Sequence, residues 1–140
     1  MSTANRTNIV LVHGLWADGS SWNKVIPNLE KAGHRVIAVQ LAAHSLEDDV
    51  ATVKRAINLV GEPAIVVAHS FGGFVITNAG YNNKNVTGLV YVAAFADDAN
   101  HSKSQRSGKW IPLDKDTGLP HQVQKIRNNT LYIKCSVYDT

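Results

Sequence analysis

With 140 residues, 44% of them hydrophobic, and a formal net charge of +3, the chain has the size of one globular domain and is too apolar to be disordered throughout. No apolar run approaches the ~20 residues needed to cross a bilayer, and residues 1–8 lack the apolar stretch and small-residue cleavage site of a secretory leader. The single cysteine, Cys135, forms no internal disulfide, in keeping with the reducing, cytoplasmic location that these absences suggest.

Residues 8–13, N-I-V-L-V-H, form a short continuous apolar run closed by Gly14, as expected of a strand buried on both faces of a parallel sheet. A loop through Asp18 and Gly19 follows. Ser20 or Ser21 is then expected to cap a helix running to Ala32, with Pro27 tolerated by a kink or a late start and Gly33 as the stop. Residues 35–41, R-V-I-A-V-Q-L, read as the second strand. Ser45 and Asp48 make a capping-box-like pair at the start of a helix whose apolar face is Val50, Val53, Ile57 and Val60, ended by Gly61 and Pro63. Residues 64–68 are the third strand, residues 72–81 a helix closed by Asn82 and Asn83, and residues 86–95 the fourth strand. Apolar strands alternating with helices predict an α/β fold, a three-layer sandwich with a mostly parallel central sheet.

After Ala96 the character changes. Residues 101–129 are polar, interrupted by Pro112, Gly118 and Pro120, and carry no sustained period; residues 131–137 are a candidate fifth strand. Two parts are therefore expected, a core over residues 1–98 and a divergent segment over residues 99–140. The charge divides there too: residues 1–100 hold seven Lys/Arg against eight Asp/Glu, and residues 101–140 hold seven against three. The basic residues are scattered and have no interleaved aromatics, so a solvated surface is expected and no nucleic-acid partner.

The chemistry concentrates in residues 64–73, A-I-V-V-A-H-S-F-G-G. Ser70 stands directly between an apolar strand and a helix opened by Gly72 and Gly73, the arrangement of a nucleophile elbow. Small residues are needed two before and two after such a serine, where the backbone passes close to itself; Ala68 and Gly72 meet that need, Ala68 standing where the general pattern has glycine. The helix start behind Ser70 points backbone N–H groups at developing negative charge. An oxyanion needs two such donors. Phe71, next after the serine, supplies one; Leu15, just past His13 and Gly14, is the candidate for the other, with Gly14 turning the backbone toward the site and Trp16 beside it. Gly14 and Trp16 are candidate substrate contacts. His13 is read as a structural residue of this loop, since a catalytic base ordinarily follows the serine.

The stretches 13–22 (H-G-L-W-A-D-G-S-S-W), 68–73 (A-H-S-F-G-G) and 88–95 (G-L-V-Y-V-A-A-F) resemble the α/β-hydrolase superfamily, in particular its branch of small esterases, plant hydroxynitrile lyases and methyl esterases. The likeness covers about residues 8–98. It implies the N-terminal part of that fold, a Ser–His–Asp triad, no cofactor and a small ester or related carbonyl substrate: a carboxylesterase-like serine hydrolase. In that family a helical cap, an acid and a histidine follow the fourth strand seen here. Residues 131–139 loosely resemble the strand bearing the acid, which makes Asp139 the candidate acid, but no histidine follows it. His101 and His121 lie after the serine, and His34, His44 and His69 before or beside it; nothing in the sequence fixes any of them as the base. Asp97 and Asp98 are read as a solvated turn. No metal-ligand spacing, G-x-G-x-x-G or phosphate loop is present, so neither metal nor nucleotide is expected. A truncated sheet leaves an edge strand unpaired, which places a homodimer among the expected states. Three readings stand side by side: an esterase, a catalytically incomplete piece of one, and a binding module on the same scaffold.

Overall fold

The computed structural model describes residues 6–95 and, as backbone, residues 131–135. Five parallel strands form one sheet in the order β2-β1-β3-β4-β5: β1 (Asn8–Val12), β2 (Arg35–Ala38), β3 (Ala64–Ser70), β4 (Val86–Ala94) and β5 (Leu131–Cys135). Among the described residues, three α-helices link β1 to β4 in turn, α1 (Ile26–Lys31), α2 (Leu46–Val60) and α3 (Gly72–Gly80).

Alternation along β1 divides the core in two. Val10 and Val12 face α2 and α3, where they meet Val53, Ile57, Val60, Val66, Val75, Ile76, Leu89 and Tyr91. Ile9 and Leu11 face the other way, onto Trp22, Ile26 and Leu29. Both faces of β1 are covered, which is why its sequence reads as an unbroken apolar run.

The elements keep the expected order with instructive shifts. Instead of one helix from Ser20 or Ser21, a 3-10 turn spans Gly19–Trp22 and α1 starts late, with Pro27 in its first turn. The cap is Asp18, whose carboxylate accepts from the Ser20 amide at 2.8 Å and from the Ser20 hydroxyl. The second strand stops at Ala38 rather than at 41, because the Leu41 amide leaves the ladder to donate to His13 Nε2 at 2.9 Å. Ser45 caps α2 by accepting from the Asp48 amide, as its spacing predicts. The buried face of α2 keeps Val53, Ile57 and Val60 but differs otherwise: Val50 is half-buried, while Ala56 and Asp49 are buried, Asp49 fully. Asp49 Oδ1 accepts from the Ala43 amide at 3.0 Å, so this carboxylate holds the β2–α2 loop against the helix. The third strand runs on to Ser70, two residues further than its apolar run.

Among the described residues no helix is long and apolar enough to cross a membrane, and none of their His, Cys, Asp and Glu side chains gather into a metal-binding group.

Candidate active site

The strand order sets the location. The chain passes from β1 outward to β2, then crosses back over β1 to β3 and continues on the other side. The carboxyl ends of β1 and β3 therefore flank the point where winding reverses, the crevice in which open α/β sheets hold ligands. Ser70 is the last residue of β3; Gly14 lies two residues past the end of β1.

Ser70 has φ 51°, left-handed backbone in a non-glycine residue, between a strand and a helix. Such a conformation costs on the order of 1–3 kcal/mol and persists only where the surroundings enforce it. The surroundings are glycines. A methyl group on Gly14 would lie 2.9 Å from Ser70 Cβ, and one on Gly72 would lie 2.8 Å from the His13 carbonyl oxygen and 3.0 Å from that of Val12. Gly72 thus lets α3 begin against the end of β1, and Gly14 lets the loop after β1 close on the serine. Ala68, the departure from the usual glycine, is fully buried and pairs with Val12. A methyl at that position fits the core facing α2 and α3.

Phe71 has helical backbone and caps α3, so its amide is among the first unpaired donors of that helix. Leu15 follows the buried Gly14 and is half-exposed; Trp16 beyond it is fully exposed and also left-handed, at φ 63°. His13 is buried, and both of its ring nitrogens are engaged: Nδ1 with the Gly14 carbonyl oxygen at 2.8 Å, Nε2 with the Leu41 amide. Since Nε2 accepts there, Nδ1 carries the proton and donates to Gly14, a tautomer inferred from its partners. His13 fixes the loop that Gly14 turns and has no nitrogen left for proton transfer. His34 Nδ1 accepts from the Thr7 amide. His44 and His69 are exposed, the ring of His69 lying over Gly14. The hydrogen bond from the Ser20 hydroxyl, followed by that from its amide, holds the Asp18 carboxyl below the usual carboxylate range. His101, His121, Asp97, Asp98 and Asp139 lie outside the described residues.

The pairing of β3 with β4 is irregular beside the serine. His69 pairs with Val92, but Ser70 pairs with Ala94. The extra residue, Ala93, has φ 44°. This is a β-bulge set beside the serine, a device that re-aims side chains next to active sites. No glycine marks it, so local residue preference carries no sign of it.

With this geometry in hand, comparison with known proteins places the chain in a class: residues 9–129 match the alpha/beta hydrolase family, and the chain belongs to it. Among particular relatives it is 30% identical to norfluorocurarine synthase 1 of Strychnos nux-vomica, over 99% of this chain and 62% of that protein. It is 34% identical to methylesterase 7 of Arabidopsis thaliana, over 72% of this chain and 45% of that one. Of solved structures, the pyrethroid hydrolase PytH superposes with a TM-score of 0.59 at 26% identity, covering 66% of this chain and 41% of that one. The chain spans about half the length of the curated relatives it matches.

Proposed function

We propose that this chain carries the nucleophile and oxyanion hole of a serine esterase acting on small esters. The observation behind this reading is the left-handed backbone of Ser70 at the strand–helix turn, held by the close approach of Gly14 and Gly72. A strained serine at a topological switch point, in a family with esterase members, suits a hydroxyl presented for attack. In this reading Ser70 Oγ adds to the ester carbonyl carbon, and the carbonyl oxygen becomes an oxyanion. The amides of Phe71 and Leu15 donate to it. Each such donor is worth about 2.7–4 kcal/mol in the transition state. Collapse expels the alcohol and leaves an acyl-serine, which water then hydrolyses. A histidine takes the Ser70 proton and returns it to the departing alcohol; His101 and His121 are the in-chain candidates for it, with Asp139 as its acid.

Labelling with a fluorophosphonate, read by intact mass on the wild type and on Ser70→Ala, tests the reading. One adduct per chain, absent from Ser70→Ala, is the expected result and requires a base in this chain or a partner. Folded protein that takes up no label overturns it, and the incomplete-site or binding-module reading replaces it.

A further inference from the structure

We infer that Phe95 is the specificity-determining wall of this site, which would then select esters whose group beside the carbonyl is apolar and uncharged; this rests on the esterase reading above. Four observations converge on Phe95. Its amide donates to the Ser70 carbonyl oxygen at 3.1 Å, so its backbone runs directly beside the serine. It reaches that place through the bulge at Ala93, which carries Ala94 rather than Ala93 opposite Ser70. Gly73 is shaped to admit it: a methyl on Gly73 would collide with the Phe95 carbonyl oxygen and lie 2.9 Å from its nitrogen. Finally, its ring stacks on Phe74, with centroids 5.0 Å apart and planes 12° from parallel. Phe74 in turn tilts against Phe71 at 6.1 Å.

The stack holds one side of the Phe95 ring while the residue stays 49% exposed. A large apolar side chain is thus carried by the residue whose amide donates to Ser70, held by the stack with part of its surface exposed. On the Gly14 side of Ser70, Leu15 and Trp16 are exposed as well, and Trp16 keeps a backbone conformation disfavoured for a bulky residue. These side chains offer dispersion and apolar contact and bring no charge, so a charged group set against them, away from the His69 ring over Gly14, loses its hydration without a partner.

The test separates this inference from the reading it rests on. Two ketones that cannot be hydrolysed, 4-phenyl-2-butanone and its ring-carboxylated analogue, are titrated by ligand-observed NMR against the full chain. The same samples are labelled with fluorophosphonate. The apolar ketone is expected to bind at least ~10-fold more tightly, the scale of one desolvated charge. Phe95→Ala is expected to weaken it ~5- to 10-fold, as loss of a ring contact would, and Phe95→Leu to restore most of the affinity. Circular dichroism checks that both variants fold; Trp16→Ala, at an exposed position, gives a second variant with an expected ~3-fold loss. Equal binding of the two ketones, or an apolar preference unchanged in folded Phe95→Ala, overturns the inference even where Ser70 labels and whatever Trp16→Ala does. A preference that depends on Phe95 without any labelling upholds the apolar wall and removes the activated serine.

Discussion

At the residue scale, the site is organised by where side chains are missing. Gly14, Gly72 and Gly73 each stand where a methyl group would meet backbone or the serine itself within 3 Å, so their role is close approach and not only flexibility. Gly33 is a different kind of position: its φ of 92° strains any side chain, but no atom lies within 4 Å of where one would begin. The two kinds predict different outcomes. Gly33→Ala is expected to cost about 1 kcal/mol, from the left-handed backbone alone, and to leave fluorophosphonate labelling intact. Gly73→Ala must push the end of β4 away and is expected to cost about 3 kcal/mol or more and to suppress labelling. Thermal unfolding with labelling on the same samples checks both; equal losses in the two variants would remove the close-approach argument. Of the serine and its neighbours, the sequence displays the elbow clearly, since small residues around a serine between an apolar run and a helix are visible in one dimension. It conceals the bulge at Ala93 and the placement of Phe95 beside Ser70, because both arise from how two strands register, and alanine gives no sign of a positive φ.

At the scale of elements, the apolar runs of β1, β3 and β4 and the period of α2 were legible because burial on a regular element leaves a regular pattern. The boundaries that moved did so where a side chain from another element intervened. His13 ended β2 by taking the Leu41 amide, and Asp18 capped the turn that two serines were expected to cap. Asp49 is the sharpest case. It falls among charged residues in the first turn of α2, where a solvated acid is the ordinary reading, yet it is fully buried and holds the amide of Ala43, itself at φ 56°. Its other oxygen, Oδ2, is buried without a hydrogen-bond partner among the described residues. Removing the acceptor leaves the Ala43 amide unsatisfied and frees a strained loop. Asp49→Ala is expected to destabilise by about 1–3 kcal/mol, and Asp49→Asn, which keeps an acceptor oxygen, by clearly less. Chemical denaturation of the two variants against Glu47→Ala, an exposed neighbour, measures this. Equal midpoints for Asp49→Ala and Glu47→Ala would show that the buried bond contributes nothing.

At the scale of the whole molecule, the two layers that the described residues place on the sheet are unequal, and that inequality predicts how this part of the protein opens. The layer of α2 and α3 meets the sheet through seventeen buried residues, from Val10 to Tyr91. The layer of α1 meets it through three, Ile9, Leu11 and Trp22, with Ile26 and Leu29 only partly buried. Helix α1 has six residues, none buried, and no side-chain cap. Among the described strands, β2 has one neighbour in the sheet, against two for β1, β3 and β4. Burial and neighbouring strands are what raise the cost of local opening, so α1 and β2 belong to the low end of the stability range and β1, β3 and α3 to the high end. Native-state amide exchange is therefore expected to show α1 and β2 exchanging at least ~10-fold faster than β1 and β3, a gap of about 1.4 kcal/mol if opening is at equilibrium. The prediction bears on the site. Ser70 and Gly72 hang from the slow elements, whereas the loop carrying Leu15 and Trp16 runs toward the 3-10 turn and α1. Only its start is tied to the slow side, through His13 and Gly14. If α1 opens independently, the loop at Leu15 and Trp16 moves while Ser70 and Phe95 stay fixed, and the apolar preference inferred above is expected to persist under mild denaturant that already exposes α1. Exchange of α1 as slow as that of β3 would instead make the molecule one cooperative unit, in which both walls of the site are lost together with the fold.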